Sequence, residues 1–395
     1  MTLAPRGLLV LVLLTCAACP AEDGFEYGVD TPASAQAPRA VCPANAPTLG
    51  TAGVTAVERV DLAWTGNGSE SYVEDYLYFV IPDDILSLLV AVEHRAEYTA
   101  INVMGVDGER WLDLPNAIGE APFYHWPVEV AAVTMPINTQ TIPQGGCLAL
   151  DPVVYADVAG ETGTLHLVTR RGPSQPSQLD VNVFVVGSTD VTDDEIEAAI
   201  DRMSAIYAQG GAAMIGEVSV STLSWPSPYV DAEGAEPAEL RAQTSGNPAA
   251  VNLLLIQDFN EVGTLGIAAG IPGPNGVMGT AGSGVMVSVD THLDGDGTTL
   301  LTDMMGETIA HEIGHQLGLF HTSESDGLTH DPITDTAECD ASRDADRDEE
   351  LSAEECESVG GRNFMFWTAA EVFGQTEVSP TQAMVLRDSV IARPQ

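Results

Sequence analysis

The run His311-Glu312-Ile313-Gly314-His315-Gln316-Leu317-Gly318-Leu319-Phe320-His321 constrains this chain more than any other part of it. Residues four apart share a helix face, so His311 and His315 can aim both imidazoles at one cation. Gly318 is placed to end that helix in a left-handed conformation, which only glycine adopts cheaply. The chain then reverses, and His321 can supply a third nitrogen from outside the helix. Three neutral imidazoles leave a fourth tetrahedral position open for water, the ligand set of a catalytic Zn2+ rather than a structural one. Glu312 neighbours a ligand without being one, and its carboxylate can take a proton from that water. With only 8 His in 395 residues, packing alone is a poor account of this clustering.

Charge removes several alternatives. Against 58 Asp+Glu stand 14 Lys+Arg, a formal net charge of −44, and every one of the 14 is Arg. A surface this acidic repels phosphate backbones and anionic head groups, so nucleic acid is excluded as a partner. Without lysine, Schiff-base chemistry and P-loop nucleotide binding are excluded too. Divalent cations are favoured. Hydrophobic residues at 45% are ample for large cores, and 395 residues suggest two or three domains.

Residues 1–19 read as an export signal: a short leader with one Arg, the apolar run Gly7–Thr15, then Cys16-Ala17-Ala18-Cys19. Small residues before Cys19 make it the candidate lipidated cysteine, and plain secretion is the alternative. Membrane attachment is then expected only through that anchor, in a cell-envelope lipoprotein or a secreted protein. An oxidising compartment implies two disulfides among the remaining cysteines. Cys42–Cys147 and Cys339–Cys356 form the simplest pairing because each lies within one region, although sequence permits three pairings.

Residues 20–47 are rich in Pro and Ala and read as a tether. Over 48–171 short β-type runs alternate with Gly, Pro and Asp turns, which predicts an all-β, sandwich-like domain. Its His94, His125 and His166 show no ligand spacing. A linker at 172–178 precedes residues 179–395, where strands and helices alternate in an α/β pattern. Strands are expected at Leu179–Val186, Val218–Leu223, Val251–Ile256 and Val285–Val289. Thr192 and Glu195 form a capping box opening a helix to about Gln209, with Ile196, Ile200, Met203 and Ile206 on one face. A helix starts near Thr302, and Ser379-Pro380 opens the last one. Residues 263–284, rich in Gly and Pro, are expected to be an irregular loop. His292 and His330 read as loop histidines.

The run from His311 to His321 resembles the metzincin clan of zinc endopeptidases. Thr322, the segment Asp331-Pro332-Ile333-Thr334-Asp335-Thr336 and Asn363-Phe364-Met365 look most like its pappalysin (cytophagalysin) branch. The resemblance covers residues 179–395 and implies a zincin-like α+β fold with polypeptide substrates. It implies that Met365 forms an apolar Met-turn floor beneath the histidines. It also implies that Val285, Met286 and Val287 form the edge strand along which substrate backbone pairs. One departure is Trp367, where pappalysins commonly carry a Tyr; an indole cannot ligate zinc, though its N–H can donate a hydrogen bond.

A second cation is suggested by Asp344, Asp346, Asp348, Glu350, Ser352 and Glu355, which follow the twelve-residue calcium-loop spacing. Position six should be Gly and is Glu349, and a merely solvated acidic loop is the alternative. Asp294-Gly295-Asp296-Gly297 is explained as well by turn chemistry as by calcium. The functional expectation is therefore an exported zinc endopeptidase. Its rival is a surface-tethered binding protein with a vestigial zinc site, and a metal-dependent hydrolase of another substrate is the third possibility. Side-chain specificity and oligomeric state have no readable code.

Overall fold

The computed structural model describes residues 39–50, 55–66, 71–94, 99–113, 130–136, 145–154, 156–261, 263–370 and 372–395. The expected signal segment with Cys19, most of the tether and His125 lie outside the described residues.

The first strands in chain order are β1 (Thr55–Ala63), β2 (Leu77–Val80), β3 (Ile85–Glu93), β4 (Thr99–Val106), β5 (Glu109–Asp113), β6 (Val130–Met135), β7 (Cys147–Val154) and β8 (Thr162–Arg171). One antiparallel sheet runs β1-β8-β3-β6. In the second, β2 and β4 both pair with β7, and β5 pairs with β4. Leu88, Val90, Leu165 and Leu167 of the first sheet share a core with Phe79, Ile101, Leu148 and Leu150 of the second. Two sheets enclosing one core is sandwich geometry.

The second unit contains β9 (Ser177–Val186), α1 (Asp193–Tyr207), β10 (Met214–Leu223), α2 (Glu236–Arg241) and β11 (Ala250–Ile256). It continues with β12 (Gly266–Ala268), β13 (Val285–Ser288), α3 (Thr302–Gln316) and α4 (Pro380–Asp388). Its sheet order is β10-β9-β11-β13-β12, parallel except for β12, which runs antiparallel to β13. This corrects the expected edge strand. Val285, Met286 and Val287 are fully buried in β13, between β11 and β12. The edge belongs to Gly266–Ala268, inside the run expected to be wholly irregular. The physical reason is that strand order is set by backbone pairing, with β11 on one side and β12 on the other, which the side chains of Val285-Met286-Val287 do not specify.

Helix α1 carries its capping box: the Thr192 backbone N–H donates to Glu195 Oε2 at 2.8 Å, and Glu195 N–H donates to Thr192 Oγ1 at 3.3 Å. Its apolar face, Ile196, Ile200, Met203 and Ile206, packs in the same core as Met305, Ile309 and Ile313 of α3. The two helices approach closely at Gly306, where a methyl would sit 2.4 Å from the Ala199 carbonyl oxygen. The buried Tyr207 hydroxyl donates to the Ala310 carbonyl at 2.8 Å, which ties the end of α1 to the middle of α3.

The two units meet along a continuous apolar seam. Leu89, Ala91, Ala132 and Val168, on the outer face of the first sheet, belong to the same core as α1 and α3. Strand β3 is therefore covered on both faces. The segment read as a linker to 178 is already in β9 from Ser177. Just before it, the guanidinium of Arg170 is 1% exposed and donates from Nη1 to the carbonyls of Arg387 (2.6 Å) and Ser389 (3.3 Å). Those carbonyls belong to the end of α4, where a helix leaves acceptors without intrahelical partners. Among the described residues, no helix is long and apolar enough to cross a membrane.

Candidate metal centre

Helix α3 places His311 and His315 one turn apart, both buried. Gly318, at φ 108°, then ends the helix. Its N–H donates to the His315 carbonyl at 2.9 Å, and the Leu319 N–H donates to the Gly314 carbonyl at 2.9 Å. Those paired bonds form a Schellman cap, and they turn the chain so that His321 faces back onto the helix.

Each imidazole has its outer nitrogen occupied. His311 Nδ1 donates to the Phe364 carbonyl at 2.8 Å, and His315 Nδ1 donates to the Leu319 carbonyl at 2.7 Å. His321 Nδ1 donates to the Glu324 carboxylate, 3.0 and 3.1 Å from its two oxygens. A carbonyl or carboxylate can only accept, so these contacts put the ring proton on Nδ1 and leave a lone pair on each Nε2. The three Nε2 atoms lie 3.0, 3.1 and 3.3 Å apart. Three lone pairs held this close repel one another unless a cation lies between them. Zn–N bonds of 2.0–2.1 Å at tetrahedral angles set N···N separations of about 3.3 Å. The residues present therefore fit zinc. Burial pushes His311 down to about 3, with the neighbouring His321 adding to the effect, so the ring is a neutral ligand at physiological pH.

Glu312 is 3% exposed and sits under the edge strand. A methyl at Gly266 of β12 would lie 2.6 Å from Glu312 Cγ and 3.0 Å from Oε1, so a glycine here makes room for the carboxylate. Met365 is fully buried against the other side of the helix, where a methyl at Gly314 would stand 2.4 Å from its sulfur. The Met365 carbonyl accepts from Thr322 N–H at 3.0 Å, linking this turn to the segment after His321. Trp367 points elsewhere: its indole N–H donates to the Leu351 carbonyl at 2.7 Å, in a small cluster around Cys339 and Cys356. Beside His311, a recess is walled by Leu265, Met304, Thr308, Phe364 and Phe366, with Glu307 and Gln375 at its polar side.

Both expected disulfides are present, Cys42–Cys147 and Cys339–Cys356. The second braces the acidic loop, in which oxygens of Asp344, Asp346 and Asp348 lie within 4.8 Å of one another. Glu349 at position six takes φ 73°, the backbone that a glycine there would take without strain. Glu355 reaches back across the loop, accepting from Ala345 N–H at 2.6 Å and from Ser352 N–H at 3.0 Å. Glu350 is half-buried, and its N–H donates to Asp348 at 3.0 Å. Asp331 and Asp335 act inside the fold. Asp331 accepts from Thr336 Oγ1 at 2.7 Å, and Asp335 accepts from Ser379 Oγ at the start of α4 at 2.8 Å.

Sequence reasoning missed two features. His292, read as a loop histidine, is fully buried, with Nδ1 donating to the Ser288 carbonyl (2.7 Å) and Nε2 accepting from the Thr308 hydroxyl (2.9 Å). Only the fold brings Thr308 of α3 to it. Glu324 was also missed, although a carboxylate three residues beyond the third histidine was a readable signal.

Residues 195–322 match a family model described as metallo-peptidase family M12B, reprolysin-like. This match supports a metallopeptidase of metzincin type. Its span takes in His311, Glu312, His315 and His321 and ends before Met365 and the acidic loop. Among solved structures, metalloproteinase-II from Bacteroides fragilis is similar at 16% identity and a TM-score of 0.29. The alignment covers 40% of this chain and 47% of that one, so the chain spans about half the length of that protein. A Bacillus subtilis protein aligns at 8% identity and a TM-score of 0.18, over 51% of this chain and 55% of its own. No curated protein matches.

Proposed function

We propose that this chain is an exported zinc endopeptidase, most like the pappalysin branch of the metzincins. The observation that carries the reading is the convergence of three Nε2 lone pairs, each ring locked from behind, next to a buried Glu312. His311, His315 and His321 would hold Zn2+, which when bound supplies a low-pKa water and polarises the scissile carbonyl. Glu312 takes the proton from the attacking water as the C–O bond forms. It returns that proton to the amine as the C–N bond breaks. The edge strand Gly266–Ala268 would hold substrate backbone as an added strand. The apolar recess beside His311 would take one substrate side chain. Two disulfides favour an oxidising compartment, which supports export, with Cys19 as the proposed lipid anchor. Calcium at Asp344–Glu355 belongs to the same reading, supported by its converging carboxylates.

The test is Glu312→Ala in the full-length protein, with metal content measured alongside cleavage of an unstructured polypeptide. Zinc should remain at one per chain while cleavage falls by ~10² or more, the usual loss of a general base. The same elemental analysis reads calcium. Undiminished turnover in the variant would refute the mechanism. Chelator-insensitive or absent cleavage by the unaltered protein would favour the binding-protein rival.

A further inference from the structure

The three imidazoles differ in what stands behind them. Two rest on neutral backbone carbonyls, Phe364 for His311 and Leu319 for His315. Only His321 rests on a charged group, the Glu324 carboxylate, which receives the Nδ1 proton at 3.0 Å. His321 is also the ligand outside the helix, so no helical repeat fixes its ring.

We propose that Glu324 is a positioning residue for the metal centre, fixing the His321 ring and strengthening its Nε2 as a ligand. The proposal rests on the zinc reading above. A carboxylate that accepts the Nδ1 proton pushes electron density towards Nε2 and makes it a better donor to a cation. Charge balance points the same way. A divalent ion among three neutral imidazoles brings two positive charges into a buried site, and an uncompensated buried charge is costly. Glu312 offsets one of these charges and Glu324 the other.

The turn that carries Glu324 is braced independently of its side chain. Glu324 N–H donates to the Thr329 carbonyl at 2.9 Å, and Gly327 N–H donates to the Glu324 carbonyl at 3.0 Å. Ser323 pairs with His330 across the turn, and Ser323 Oγ accepts from Cys339 N–H at 2.8 Å. Altering the carboxylate therefore leaves the backbone in place. The side chain is 32% exposed, so water screens part of its charge and loss of the charge alone falls at the lower end of the range for such groups.

The experiment is a zinc titration of the full-length protein, stripped with chelator and refilled against a competing chromophoric chelator. Glu324→Gln, which keeps an acceptor oxygen and loses the charge, should bind zinc ~10-fold more weakly, and Glu324→Ala up to ~100-fold more weakly. The melting midpoint of the zinc-free Gln variant should equal that of the zinc-free unaltered protein. Equal affinity for Gln and the unaltered protein overturns the role of Glu324. A weaker Gln variant whose zinc-free form also melts earlier overturns it as well, because the loss would then be that of the turn. An unaltered protein that takes up no zinc defeats the underlying metal reading, and that outcome is distinct because no variant would then give a binding curve.

Discussion

Gly314 sets two principles against each other, and their magnitudes decide the outcome. It lies inside α3, where replacing Gly with Ala ordinarily gains about 1 kcal/mol of helix propensity. Here the new methyl would stand 2.4 Å from Met365 Sδ and 3.1 Å from Phe364 Cε2, inside any ordinary contact distance. Met365 is fully buried, so its sulfur has no solvent to retreat into. Overpacking of this kind costs about 1–3 kcal/mol. The difference is a net loss on the order of 1 kcal/mol, or about 1 °C in melting midpoint for a chain of this size. Displacing Phe364 also moves the carbonyl that receives His311 Nδ1, so zinc affinity should fall with stability. The assay is calorimetric melting of zinc-free Gly314→Ala, with Met365→Ala and Gly314→Ala/Met365→Ala beside it. Deleting the sulfur should relieve the clash, so the two changes should combine less than additively. A rise of about 1 °C in the single variant, which helix propensity alone would give, refutes the packing argument.

Two further predictions concern positions the sequence left unassigned. Burial holds His292 down at about 4. An unfolded chain takes that proton near pH 6.5, so the contribution is complete above 6.5 and is lost as pH falls through about 4. The total loss is about 3 kcal/mol, and melting against pH should show a flatter acid limb for His292→Gln; superimposable acid limbs would count against it. Gly266→Ala would press a methyl onto Glu312 at 2.6 Å. A displacement of about 1 Å can cost ~10² in rate, so kcat should fall with zinc content unchanged, and an unchanged kcat would show that the close approach is unimportant.

The metal centre was legible because its parts are local. Helical spacing brings His311 to His315, and Gly318 at φ 108° returns the chain with His321 only three residues later. The capping box at Thr192 is local in the same way, and of the three cysteine pairings the sequence permits, the simplest is the one present. The edge strand was not legible. Strand order is a non-local property, and the three-residue β12 sits in a glycine-rich run with no periodicity of its own. Likewise the unbroken Leu88-Leu89-Val90-Ala91-Val92 of β3 announced burial on two sides, but nothing local names what covers the second face. His292 shows the same limit, because its environment depends on Thr308 arriving from α3.

The apolar seam beneath β3 and β8 changes what a nick in the exposed stretch Gly172–Pro176 would accomplish. Severing the peptide there breaks one covalent link but leaves Val168, Leu89 and Ala91 in the core they share with the second unit, and Arg170 still gripping the end of α4. The halves would stay married after the cut, so cleavage at this exposed stretch need not release either one.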